Sequence, residues 1–313
     1  MGFSLQMVNV WIGLCKGVAG LPRDVTLLGY QDKLIEWRFR TDTGELVCPD
    51  LIVASKEVGH CLLLEFKGGE NASEDQLHRY AGVTRDALQQ LAFLQPEETL
   101  THDTVIVGAA EHGKRLKLAI VQSECAFPLV LAHSQSLRLA ANSIGEARTD
   151  VIFRKGGLRI DFSTAPMSFV PFDSESEDWE VANAVAPVLL EFMCMRRPRI
   201  AVDEICEQVF VLVWGAMGEP AKDNARSKIR SVLLMLADEA FSEFIRCGSS
   251  KHFEAVDVVK NPVDFRPDRR TAAFQKLQRS LAEFVESIRT GVRKVEGVQM
   301  SFDFEAQSSS ETE

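Results

Sequence analysis

Pro49-Asp50-Leu51-Ile52-Val53-Ala54 and Cys61-Leu62-Leu63-Leu64-Glu65-Phe66-Lys67 decide how this chain is read. Both are short apolar runs rich in branched residues, and Lys56 to Gly59 between them reads as a turn. They are expected to be adjacent strands of a hairpin. Side chains alternate along a strand, so Glu65 and Lys67 share a face while Phe66 points the other way. With Asp50 beside that face, two carboxylates and one ammonium converge. Hard cations such as Mg²⁺ bind through one or two carboxylates and keep several waters. A lysine next to such an ion can position or deprotonate an attacking water, or stabilise the charge of a phosphate. The bland alternative is a solvated hairpin carrying surface charges.

A second element bears on this choice. Gln76-Leu77-His78-Arg79-Tyr80 follows shortly after, and residues i and i+4 lie on one face of a helix, so Gln76 and Tyr80 can point together. Pro-Asp, then Glu-x-Lys, then Gln-x-x-x-Tyr resembles the signature of the PD-(D/E)XK nuclease superfamily, in the branch that includes lambda exonuclease and the nuclease domains of bacterial helicase-nucleases. The resemblance covers about residues 30 to 110. It implies a restriction-endonuclease-like mixed sheet flanked by helices. It also implies that Asp50, Glu65 and the backbone carbonyl of Phe66 hold Mg²⁺ or Mn²⁺, that Lys67 serves the attacking water, and that Gln76 and Tyr80 position the phosphate backbone.

Many members of that superfamily add an acidic residue from a helix before the hairpin. Residues 1 to 23 contain no Asp or Glu, which leaves Asp24, Asp32 and Glu36 as the candidates shortly upstream. Lys33 to Arg40 alternates, with Ile35, Trp37 and Phe39 on one face and Glu36, Arg38 and Arg40 on the other. That pattern predicts a strand closed by a turn at Asp42-Thr43-Gly44. Glu36 is then either a further metal ligand or a salt-bridged surface residue.

Composition sets outer bounds. The chain has 313 residues, 46% of them hydrophobic, ample for a core and suggestive of two domains. A net charge of −10 is wrong for a simple polyanion binder, so any nucleic-acid surface must be local. Acid is concentrated at Asp173 to Glu180 and after Lys294. The seven cysteines form no Cys-x-x-Cys pair, and an odd number argues against a disulfide framework, which suits a cytoplasmic setting. Gly2 to Leu21 is fairly apolar but lacks a basic start and is interrupted by Gln6, Asn9 and Lys16, so it makes a poor signal peptide and a poor membrane span.

Along the chain, Asp75 to Leu94 has helical spacing, and Thr104 to Ala110 and Phe127 to Ala132 read as strands. Val151 to Phe153, Leu158 to Phe162 and Phe169 to Phe172 look like further short strands. The domains expected are a nuclease-like unit over 1–172, an acidic linker over 173–180, a second unit over 181–295 and an acidic disordered tail over 296–313. In the second unit, Trp179 to Arg196 is a helix candidate. Asp203 can cap a helix from Glu204 to Val213, and Asp223 or Asn224 can cap one running to about Leu236. Ser242 to Cys247 and Phe253 to Val259 then pair as a hairpin. Three helices followed by a hairpin resemble a winged helix-turn-helix domain, which implies DNA contact through Lys222, Arg226, Lys228 and Arg230, with Lys251 at the wing tip. Arg266 to Lys294 reads as a helix with a basic outer face.

In the tail, Gln299-Met300-Ser301-Phe302-Asp303-Phe304 resembles the short Gln-led peptides by which bacterial repair proteins bind the sliding clamp. That makes Gln299, Met300, Phe302 and Phe304 candidate clamp-docking residues. There is no complete Gly-x-x-x-x-Gly-Lys-Ser/Thr phosphate-binding loop, since Gly108 to Lys114 has the spacing but is followed by Arg115, so an ATP-driven step would need a partner ATPase or a defence-system protein. The expectation is a metal-dependent DNA nuclease of restriction, antiviral defence or DNA repair. The alternatives are a non-catalytic winged-helix regulator on a degenerate nuclease scaffold, or an RNase.

Overall fold

A computed structural model describes residues 2–70, 72–89, 91, 100–154, 156–162, 168–248, 250 and 252–290. The fold is mixed α/β. In chain order the elements of the first half are α1 (Phe3–Lys16), α2 (Asp24–Leu27), β1 (Gln31–Ile35), β2 (Phe39–Arg40), β3 (Leu46–Val47), β4 (Leu51–Ser55), β5 (His60–Lys67), α3 (Glu74–Ala81), α4 (Arg85–Gln89), β6 (Thr101–Ala109), α5 (Gly113–Gln122), β7 (Leu129–His133), β8 (Ser136–Ala141), α6 (Ala147–Arg154) and β9 (Leu158–Arg159). The second half holds α7 (Asp178–Cys194), β10 (Arg199–Ala201), α8 (Val202–Val209), α9 (Glu219–Asp238), β11 (Ile245–Cys247), β12 (Ala255–Val258) and α10 (Pro267–Thr290).

A seven-stranded mixed sheet runs in the order β1-β4-β5-β6-β7-β8-β9. β1, β4 and β5 form an antiparallel meander; β6 and β7 join parallel; β8 and β9 return antiparallel. β4 and β5 are apolar on both faces because both faces are covered. Leu62, Leu64 and Phe66 enter the core shared with α1, while Cys61 and Leu63 enter the one shared with α3 and α4.

Several local expectations change. The strand expected over Lys33 to Arg40 is broken at Glu36, whose φ of 45° ends β1; β2 then pairs with β3 around the Asp42-Thr43-Gly44 turn. The helix expected from Asp75 splits into α3 and α4 at Gly82-Val83-Thr84, where the Thr84 hydroxyl accepts from the Ala87 amide. Val151 to Phe153 belongs to α6 and not to a strand. Glu146 accepts from the Thr149 amide and hydroxyl at the helix start, and Thr149 and Phe153 bury one stripe. In the second half α9 starts at Glu219, after Gly218 and before Pro220, so neither Asp223 nor Asn224 caps it. α8 starts at Val202, with the Glu204 carboxylate accepting from the Ala201 amide, and Asp203 pairs with Arg226 instead.

The acidic run expected to link two domains is tied into the structure. Asp173 Oδ1 accepts from the amides of Glu175 and Ser176, Ser176 is buried, and α7 begins at Asp178. One hydrophobic core extends from Leu5 on α1 to Phe284 on α10. No described helix is long and apolar enough to cross a membrane.

Candidate active site

The register of β4 on β5 sets Leu51 opposite Leu64, which leaves Asp50 beside Glu65 where the hairpin ladder ends. Asp50 Oδ2 accepts the Phe66 amide at 2.6 Å, a pairing that fixes this carboxylate to the neighbouring strand. Alternation along β5 turns Glu65 and Lys67 to the side of Leu63, the side covered by α3. α3 starts with Glu74 and Asp75 in its first turn, favourable at a helix N-terminus, and buries Leu77 and Tyr80. Gln76 and Tyr80, one turn apart, meet the strand.

The five side chains do come together. Glu65 Oε1 accepts from Lys67 Nζ at 2.8 Å and from Gln76 Nε2 at 2.8 Å. Gln76 Oε1 accepts a second bond from Lys67 Nζ at 2.8 Å. The Tyr80 hydroxyl donates to Glu65 Oε2 at 2.7 Å. Glu65 is buried, and the Lys67 side chain keeps 16% of its surface. Glu36 approaches from the end of β1, where its amide donates to the Asp50 carbonyl at 3.0 Å. The Phe66 carbonyl accepts from Ser4 of α1 at 3.5 Å, a long contact.

Charge is crowded here. Burial holds the Asp50 carboxyl well above its ordinary range, and the Glu65 charge adds to this; the Phe66 amide and Lys67 pull the other way. The Glu36 carboxyl is also raised, first by burial and then by Asp173 and Glu65. Burial pushes the Tyr80 hydroxyl up, with Glu65 adding, so it stays a donor. Burial lifts the Cys48 thiol to about 11, with a contribution from Glu36. Three carboxylates therefore share a poorly hydrated region answered by one ammonium. Oxygen donors with surplus negative charge fit a hard divalent cation that keeps part of its water. Among the described residues, no group of three or more His, Cys, Asp or Glu side chains is arranged to hold a metal ion.

The basic residues expected to face DNA are arranged differently. Arg226 is surrounded by Asp203, Glu219 and Asp223, and lies 5.5 Å from the Trp214 ring. Lys222 pairs with Glu219 and also sits over Trp214. Lys228 donates to the Ser176 carbonyl at 2.6 Å, and Arg230 to the Phe253 carbonyl at 2.9 Å. All four are engaged within the protein. Lys251 lies outside the described residues, as do Gln299, Met300, Phe302 and Phe304. Asp173, read from sequence as part of a linker, is the acid whose influence on Glu36 that reading missed. No local pattern marks it, since its place is set by the packing of residues 170–174 against Glu36 and α9.

The chain is similar over residues 4–120 to the family described as the MJECL32 domain, a stretch that contains Glu36, Asp50, Glu65, Lys67, Gln76 and Tyr80. No curated protein and no solved structure matches the chain.

Proposed function

We propose that this protein is a metal-dependent nuclease hydrolysing phosphodiester bonds in DNA, built on a PD-(D/E)XK-like fold with a winged-helix-like second half. One observation carries the proposal: Glu65, Lys67, Gln76 and Tyr80 form one hydrogen-bonded group beside Asp50. The order α1, antiparallel β1-β4-β5, α3, then β6 parallel to β5 supports the fold reading. The order α7, β10, α8, α9, β11, β12, with the sheet β10-β12-β11, supports the second.

Asp50 and Glu65 would hold Mg²⁺ or Mn²⁺ through their carboxylate oxygens. When bound, the ion supplies polarisation of the scissile phosphate and a more acidic water. Lys67, fixed by Glu65 Oε1 and Gln76 Oε1, presents its ammonium to that water or to the phosphate. Gln76 and Tyr80 hold Glu65 in its rotamer from α3. A grip on DNA through α9 requires Lys222 and Arg226 to exchange their carboxylate partners for phosphates. Restriction, antiviral defence and DNA repair would each employ such an enzyme.

The test is cleavage of linear, circular and single-stranded DNA, and of RNA, with Mg²⁺, Mn²⁺ or EDTA. Lys67→Ala and Asp50→Ala should each lower cutting by about 100-fold or more with circular dichroism unchanged. Cutting that persists in both variants rejects the site, and cutting of RNA alone makes the enzyme an RNase. A second reading, a non-catalytic DNA-binding scaffold, is favoured by the engagement of both Glu65 oxygens by protein donors and by the absence of a third close ligand among the described residues. DNA binding without cutting under every metal condition would select it.

A further inference from the structure

A cavity of about 490 Å³ opens where the two halves of the chain meet, lined by Trp37, Arg38, Gly218, Glu219, Pro220, Asp223 and Asn224. Its walls come from the β1–β2 connection and the first turns of α9. The two are locked together: the Gly218 amide donates to the Ile35 carbonyl at 2.8 Å, and Ile35 bridges Met217 in parallel. A Cβ on Gly218 would lie 2.2 Å from the Glu36 carbonyl oxygen, so the backbones touch with no room to spare. Along the chain the cavity adjoins Glu36. Trp37 directly follows Glu36, whose amide bonds the Asp50 carbonyl.

The lining has a specific chemistry. Trp37 is half-buried against the core shared with α3 and α4, which pins the ring. Asp223 is engaged by Arg226, whereas the Arg38 and Asn224 side chains are exposed and carry no hydrogen bond or ion pair within the described protein. A pinned aromatic ring, an amide that both donates and accepts, and a guanidinium form a set suited to a flat heterocycle bearing a phosphate. Volumes of 300–1,000 Å³ are typical of small-molecule sites. Glu219 and Asp223 disfavour a bare anion, while acceptors near Asn224 suit the amino-bearing edge of a base.

We infer that this cavity receives an unstacked nucleobase of the bound strand, with Trp37 as the stacking surface, Asn224 reading the base edge and Arg38 meeting the adjoining phosphate. The inference rests on the nuclease reading and names the substrate form it prefers, a strand whose bases can leave the stack.

The experiment measures binding of a fluorescently labelled single-stranded DNA, intact or with one central abasic site, to the full chain in EDTA. Trp37→Ala and Asn224→Ala should each weaken binding of the intact strand about tenfold, Trp37→Phe should retain it, and the abasic strand should bind wild type and Trp37→Ala alike. Melting curves of each variant establish that it is folded. Unchanged affinity in Trp37→Ala and Asn224→Ala, or an equal loss on intact and abasic strands, overturns the base pocket and leaves the nuclease reading standing if wild type still cuts DNA. A wild-type protein that neither binds nor cuts any strand overturns both.

Discussion

Asp50 carries a cost that can be measured apart from any activity. Its carboxylate is removed from water and lies near Glu65 and Glu36, with the Phe66 amide and Lys67 as its compensation. An asparagine keeps an oxygen for the Phe66 amide and sheds the charge. Asp50→Asn should therefore raise Tm in EDTA at neutral pH by roughly 2–4 °C while abolishing the proposed cleavage. A lower Tm by differential scanning calorimetry would mean that the carboxylate stabilises the fold, contrary to the crowding argued here. Tyr80 marks a different balance. Its hydroxyl is buried and spends its one proton on Glu65, so the pair is satisfied and its role is to hold Glu65 in place.

At the scale of elements, two attachments outweigh their size. Asn9 is fully buried on α1, and its amide accepts from the Val170 amide at 2.9 Å and donates to the Val170 carbonyl at 2.8 Å. This pair ties the segment after β9 to the first helix. Asn9→Ala leaves both Val170 groups buried and unpaired, an expected loss of about 2–4 kcal/mol in urea unfolding. The start of α8 gives a pH test. Glu204 is held below the ordinary carboxyl range by the Ala201 amide first and by Arg197 second. Because the folded value is depressed, the carboxylate's contribution is full above the unfolded value of about 4.3 and is lost as pH falls through the folded value. Glu204→Ala should cost about 0.5–1 kcal/mol at pH 7, and the gap to wild type should close below about pH 4. A gap constant with pH would place its origin elsewhere.

Across the whole molecule, the two halves are joined at residues 35–38 and 217–221, beside the candidate site. Gly218 has an ordinary φ of −71°, so its need is for space and not for an unusual backbone. Gly218→Ala must displace the Glu36 carbonyl or the start of α9. The expected cost is about 1–3 kcal/mol, accompanied by a loss of the proposed cleavage even though no proposed reacting group is altered. Wild-type stability and rate in this variant would show that the joint is slack.

The chain's local chemistry determined the hairpin of β4 and β5, because an apolar run with a central turn has few other ways to bury itself, and strand alternation then put Glu65 and Lys67 on one side. Helical spacing likewise assigned Gln76 and Tyr80 to one stripe of α3. Short segments were less legible. Val151 to Phe153 is β-branched and aromatic, yet it is helical because Glu146 caps it and Phe153 finds the core from a helix. The fate of charges was not legible at all: Arg226 and Lys228 read as a free basic face, and only packing brought Asp203 and the Ser176 carbonyl to them. The meeting of Glu36 with Asp173, and the cavity between Trp37 and Asn224, join residues more than a hundred positions apart. Periodicity acts within a strand or a helix, whereas the desolvation and close approach that give these groups their character exist only once distant segments share one core.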